Sequence, residues 1–65
     1  MEKWKSKQSG RTLIVLGDEK EGNKMYRFFY FEDTPNVIAQ WDLSVYGDPW
    51  EDNFEKVLDN PSIPA

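Results

Sequence analysis

Five carboxylates crowd into the stretch YGDPWEDNFEKVLDN, from Tyr46 to Asn60: Asp48, Glu51, Asp52, Glu55 and Asp59, with Lys56 the one cation among them. Paired carboxylates can serve as general acid and base, but only where a desolvated cleft separates their pKa values. A chain of 65 residues has little room for such a cleft. The sequence holds no histidine and no cysteine, so Ser6, Ser9, Ser44 and Ser62 have no imidazole to activate them and no thiolate metal site can form. The acidic run GDEKEGN, residues 17 to 23, lacks the ligand spacing of a calcium loop, and no glycine-rich phosphate motif occurs. Catalytic residues, cofactors and metals are therefore not expected. Carboxylates spaced along a rigid element have another use. They can meet a basic protein surface, imitating the phosphates of DNA at one charge per ~1.7 Å of axis.

The element that has to position these acids reads as a helix. Gly47 breaks the preceding pattern, Asp48 is a suitable N-cap, Pro49 suits the first helical position and Glu51 completes a capping box. Trp50, Phe54, Val57 and Leu58 then recur at helical spacing on one face. Asp48, Asp52, Glu55 and Asp59 fall within ~60° of one another on the opposite side. Asn60 and Pro61 would stop the helix, leaving 61–65 as a loose tail. The helix dipole favours anions in the first turn but not at Asp59, which also stands i+4 from Glu55. That mismatch marks the stripe as a surface with a use, against the plainer reading of a solvated face.

Upstream, RTLIVLGDE reads as a buried strand, MYRFFYFED as a central strand with aromatics on both faces, and NVIAQWDLSVY as a strand of period two. In the last of these, Val37, Ala39, Trp41, Leu43 and Val45 should face the core. Residues 1–10 are either a basic arm or an edge strand, and 11–60 form a single domain. The fold expected is α+β: a three-stranded antiparallel sheet, four-stranded if residues 2–8 join it, with one C-terminal α-helix packed on it. Its core comprises Leu13, Val15, Phe29, Phe31, Val37, Trp41, Leu43, Trp50, Phe54, Val57 and Leu58. The second apolar face of the central strand, Tyr26, Phe28 and Tyr30, is an interface in an open sheet, a homodimer's for instance. In a small barrel resembling an SH3 fold it becomes core.

Net charge is −4, but residues 1–11 carry +3 and residues 12–65 carry −7. An acidic body repels nucleic acid and attracts basic proteins, so direct nucleic-acid binding is not expected even though lysines and Trp4 interleave in the arm. No apolar run approaches the ~20 residues of a membrane span, and a cytoplasmic location is the default.

In overall profile the chain resembles small acidic inhibitors encoded by bacteriophages, including anti-CRISPR proteins and other DNA mimics. The residues behind the resemblance are Asp48, Asp52, Glu55 and Asp59, the further acids Glu32, Asp33 and Asp42, and the small aromatic-rich core. It implies a non-enzymatic inhibitor in a host cytoplasm, occupying a basic, nucleic-acid-binding site on a partner protein. The basic arm departs from a pure mimic. The alternative is a small SH3-like or sheet-based assembly module that binds through an aromatic face carrying Tyr26 and Tyr30.

Overall fold

The computed structural model describes residues 1–57. Five antiparallel strands form one sheet: β1 (Glu2–Ser6), β2 (Thr12–Glu21), β3 (Lys24–Phe31), β4 (Ala39–Asp42) and β5 (Phe54–Lys56). Their order is β4-β3-β2-β1-β5, so the first four make a meander and the fifth returns to pair with the first. One helical turn, α1 (Trp50–Asn53), sits between β4 and β5. No helix among the described residues is long and apolar enough to cross a membrane.

The α+β expectation is therefore overturned: among the described residues no helix packs on the sheet, and they form a five-stranded sheet with a single helical turn. The physical reason lies at Phe54. A helix would place Phe54 beneath Trp50 with Glu55 on the far side. Instead Phe54 leaves the turn with extended dihedrals, φ −134° and ψ 149°, and Glu55 pairs across the ladder with Lys5. Strand geometry buries Phe54 against the sheet and joins its backbone to β1, which short helical propensity cannot match. Asp48 does not cap the turn. Pro49 holds the cap position without a side-chain hydrogen bond, and Asp48 Oδ1 accepts a 2.7 Å bond from Asn53 Nδ2. Residues 2–6 are likewise neither an arm nor an edge, since β1 lies between β2 and β5.

Strand β2 carries a bulge. Val15 opposes Phe29 and Gly17 opposes Phe28, which leaves Leu16 as the extra residue. Bulges of this kind bend a strand and add twist. The bend is large. In a flat sheet β4 and β5 would stand about 19 Å apart, four strand spacings, yet the rings of Trp41 and Phe54 meet at 5.2 Å. The sheet is thus curled until its two edges close over one core, a half-open barrel.

Leu13, Val15, Phe29, Trp50 and Phe54 form that core, with Trp4, Phe31, Ala39, Trp41 and Leu43 packed against it. Trp50 is its hub. It stacks on Phe54 at 4.1 Å and meets Trp4, Phe29 and Trp41 edge-on at 5.5–6.0 Å. Edge-to-face pairs at this range each contribute about 0.5–1.5 kcal/mol beyond burial alone. Val37, expected inside, is 61% exposed, because β4 starts only at Ala39. Val57 is half-buried, and Leu58 lies outside the described residues.

Candidate functional site

Curling sends the two faces of β3 to different environments. Phe29 and Phe31 point inward, whereas Tyr26, Phe28 and Tyr30 stay on the convex outer face, half-buried. Tyr30 sits opposite Ile14, Phe28 opposite Gln40, and Tyr26 between Glu19 and Asp42. Barrel-like curling does not make this row core, because the core is lined by the other parity of residues.

The sheet acids are largely answered by cations. Lys3 pairs with Glu32 at 3.4 Å, Lys5 with Glu55 at 3.9 Å, Lys24 with Asp42 at 3.7 Å and Lys56 with Glu2 at 3.5 Å. Arg11 grips Asp33 through two hydrogen bonds, 2.7 and 3.0 Å, while its guanidinium lies 3.9 Å from the Phe31 ring centre. Those bonds hold the Asp33 carboxyl below its usual pKa and raise that of Arg11. Lys3, Lys5 and Arg11 of the basic segment, expected as either an arm or an edge strand, are thus paired with acids along the sheet.

Asp48, Glu51 and Asp52 stand differently. All three are exposed, and none has an ion pair among the described residues. The ammonium of Lys7 reaches this turn but bonds the main-chain carbonyl of Glu51, at 2.9 Å. The acids expected to form one stripe are therefore split. Asp48 and Asp52 share the turn before β5, Glu55 is paired on β5, and Asp59 lies outside the described residues. Glu32 and Asp33 occupy the turn after β3 and Asp42 the end of β4, and they do not extend the turn's surface as a free anionic patch.

Beside the turn lie two apolar side chains with no cover: Val45 is 50% exposed and Tyr46 98% exposed. The period-two pattern places Val45 in the core, and the structure does not. Its strand ends at Asp42, whose carboxylate accepts the Ser44 amide at 2.8 Å and turns the chain away. Together with Leu43, Gly47, Pro49, Trp50 and Glu51 they border a cleft of about 480 Å³ whose far wall is Arg27.

Arg27 is the functional candidate that sequence reasoning missed. It lies on the inward parity of β3, opposite Asp18 and Trp41 at the open end of the barrel. Its Nε and Nη2 donate to Asp18 at 2.7 and 2.9 Å, and its guanidinium stacks 4.9 Å from the Trp50 ring centre. The hydrogen bonds from Arg27 lower the Asp18 pKa, and Asp18, with smaller contributions from Glu2 and Glu51, raises that of Arg27. One signal could have found it: a lone arginine inside a strand apolar on both faces needs a carboxylate partner, and GDE lies one hairpin away.

Comparison with known proteins adds no family to this geometry: no protein-family model, no curated protein and no solved structure matches the chain.

Proposed function

We propose that this protein is a non-enzymatic binding module that docks on a basic surface of a partner protein through the turn 45–52. The observation that carries this reading is selective neutralisation. Ion pairs answer Glu2, Asp18, Glu32, Asp33, Asp42 and Glu55, whereas Asp48, Glu51 and Asp52 are left without one, as Glu19 and Glu21 are on the β2–β3 hairpin, and only the turn acids stand beside the uncovered Val45 and Tyr46. Unpaired charge next to a large amphipathic aromatic is the composition of a contact surface, with tyrosine as anchor and carboxylates as guides. An inhibitor that covers a partner's nucleic-acid site, in the manner of the small acidic phage proteins it resembles in profile, is the form this function would take.

A second reading is an assembly module that binds through the convex face. It is favoured by the row Tyr30, Phe28 and Tyr26, which the fold leaves half-buried beside Ile14. The two readings differ in their salt response: charge-guided docking weakens as ionic strength rises, and apolar docking does not.

Affinity capture from nuclease-treated lysate tests them together, using the wild type, Glu51/Asp52→Lys and Tyr26/Tyr30→Ser. Docking through the turn requires one basic protein retained by the wild type and the tyrosine variant, lost by the lysine variant, and held less well by the wild type as salt rises. Retention of that protein by the lysine variant, with loss from the tyrosine variant, would transfer the function to the convex face.

A further inference from the structure

The cleft between Arg27 and the turn has a chemistry of its own, distinct from the charge on its rim. We infer that it receives an extended peptide segment of the partner, in which an apolar residue stands next to a basic one. This inference rests on the docking role proposed for the turn and specifies what enters.

The donors come first. A guanidinium has five N–H groups, and Asp18 takes one from Nε and one from Nη2. Nη1 has no acceptor among the described residues, and Arg27 is only partly exposed, with 20% of its side chain in contact with solvent. Trp50, which also lines the cleft, is 2% exposed, and its indole N–H is the one buried side-chain N–H among the described residues without an acceptor. That N–H is enclosed by the protein, so the donor open to an acceptor from outside is the partly exposed guanidinium of Arg27.

The acceptor has to be neutral. Arg27 is already compensated by Asp18, and both Glu2 and Glu51 act on it as well. A phosphate or carboxylate entering here would meet a guanidinium already neutralised by Asp18, with the Glu51 carboxylate at the same cleft. A main-chain carbonyl meets the Arg27 guanidinium without that repulsion. The walls then select its neighbours. Leu43, Val45, Tyr46 and Pro49 offer apolar surface to a side chain of the same segment, and the volume, about 480 Å³, is that of a small-ligand site. Glu51 at the lip, with Asp48 and Asp52 beyond it, faces whatever flanks that residue, and a lysine or arginine is the complement. Carbonyl, apolar side chain and cation in sequence describe an extended peptide rather than a folded surface.

A random decapeptide library displayed on phage and panned at low salt on the full chain provides the probe. The expected selection combines basic with apolar residues, and a synthetic peptide of the selected sequence should lose about tenfold in affinity or more on Glu51→Lys and on Tyr46→Ser. Tyr46 is almost wholly exposed, so its replacement leaves the fold intact, as circular dichroism and the melting temperature of the variant would verify. Absence of any selected sequence, or a selected peptide whose affinity neither substitution changes, would overturn the inference. If no peptide is selected but a folded partner is still captured through Glu51 and Asp52, the docking role stands and the peptide inference alone falls. If both fail, the turn is not a binding surface.

Discussion

Asp18 and Trp50 show what individual side chains contribute at the mouth of the barrel. Because Arg27 depresses the Asp18 pKa below the ordinary 3.8, the pair stabilises the fold fully above that value and loses its effect as pH falls through the folded-state pKa. Asp18→Asn should therefore cost about 1 kcal/mol at neutral pH, a modest figure because the pair is partly solvent-screened. Urea unfolding of both proteins between neutral and strongly acidic pH checks it: the gap should close as the medium turns acidic, and a gap that stays constant would show that the ionised pair is not its source. At Trp50 the volume matters more than the N–H. Trp50→Ala should cost about 3–5 kcal/mol, much of what a domain of this size holds. Trp50→Phe should cost clearly less, since it keeps an aromatic against Phe54 while removing a buried N–H that has no acceptor. Thermal melts of the two variants decide this, and equal losses would contradict it.

At the scale of elements, the segment after Gly47 carries the largest conflict between local pattern and final structure. Trp50, Phe54 and Val57 satisfy helical spacing, but Phe54 and the backbone of 54–56 gain more from β1 than from a helix of two or three turns. The conflict has a direct test at Glu55, exposed and opposite Lys5 on β5. Glu55→Thr should leave the protein more stable than Glu55→Ala by a few tenths of a kcal/mol, because strands favour threonine and helices favour alanine. Melting temperatures in the reverse order would restore the helix. Strands β2 and β3 were legible because Leu13, Val15 and the aromatic run of β3 have β character whatever surrounds them. Strand β1 was not, because Trp4 is the only large apolar residue in it and the partners that hold it, Leu13 and Phe54, lie elsewhere in the chain. The same non-locality concealed the site. Asp48 and Asp52 could be singled out from their spacing, but which acids remain unpaired depends on cations that β1 and β3 deliver from a distance. Val45 and Tyr46 continued an alternating pattern that the Asp42–Ser44 bond interrupts.

For the whole molecule, net charge is the less informative quantity and its distribution the more informative one. The −4 of the chain is not spread as a field over one face. Pairing cancels it along the sheet and leaves it uncancelled at the turn 48–52 and on Glu19 and Glu21 of the β2–β3 hairpin. Binding through such a local patch should be sensitive to salt but only modestly, through the two or three carboxylates it contains. A polyanion mimic that presents a whole row of charges would depend on salt far more steeply. The outer row Tyr26, Phe28 and Tyr30 makes a separate prediction. If it is only a solvated convex face, the protein stays monomeric in sedimentation up to high concentration, and salt-strengthened self-association would instead assign the row to assembly.

The most direct test of the docking surface is the dissociation constant of the captured basic partner, determined by calorimetry for wild type, Glu51/Asp52→Lys and Tyr26/Tyr30→Ser at two ionic strengths. Docking through the turn predicts that the lysine variant loses about tenfold or more at low salt and much of its salt dependence, while the tyrosine variant binds as the wild type does. Unchanged affinity in the lysine variant, with loss in the tyrosine variant, would contradict it and move the interface to the convex face of β3.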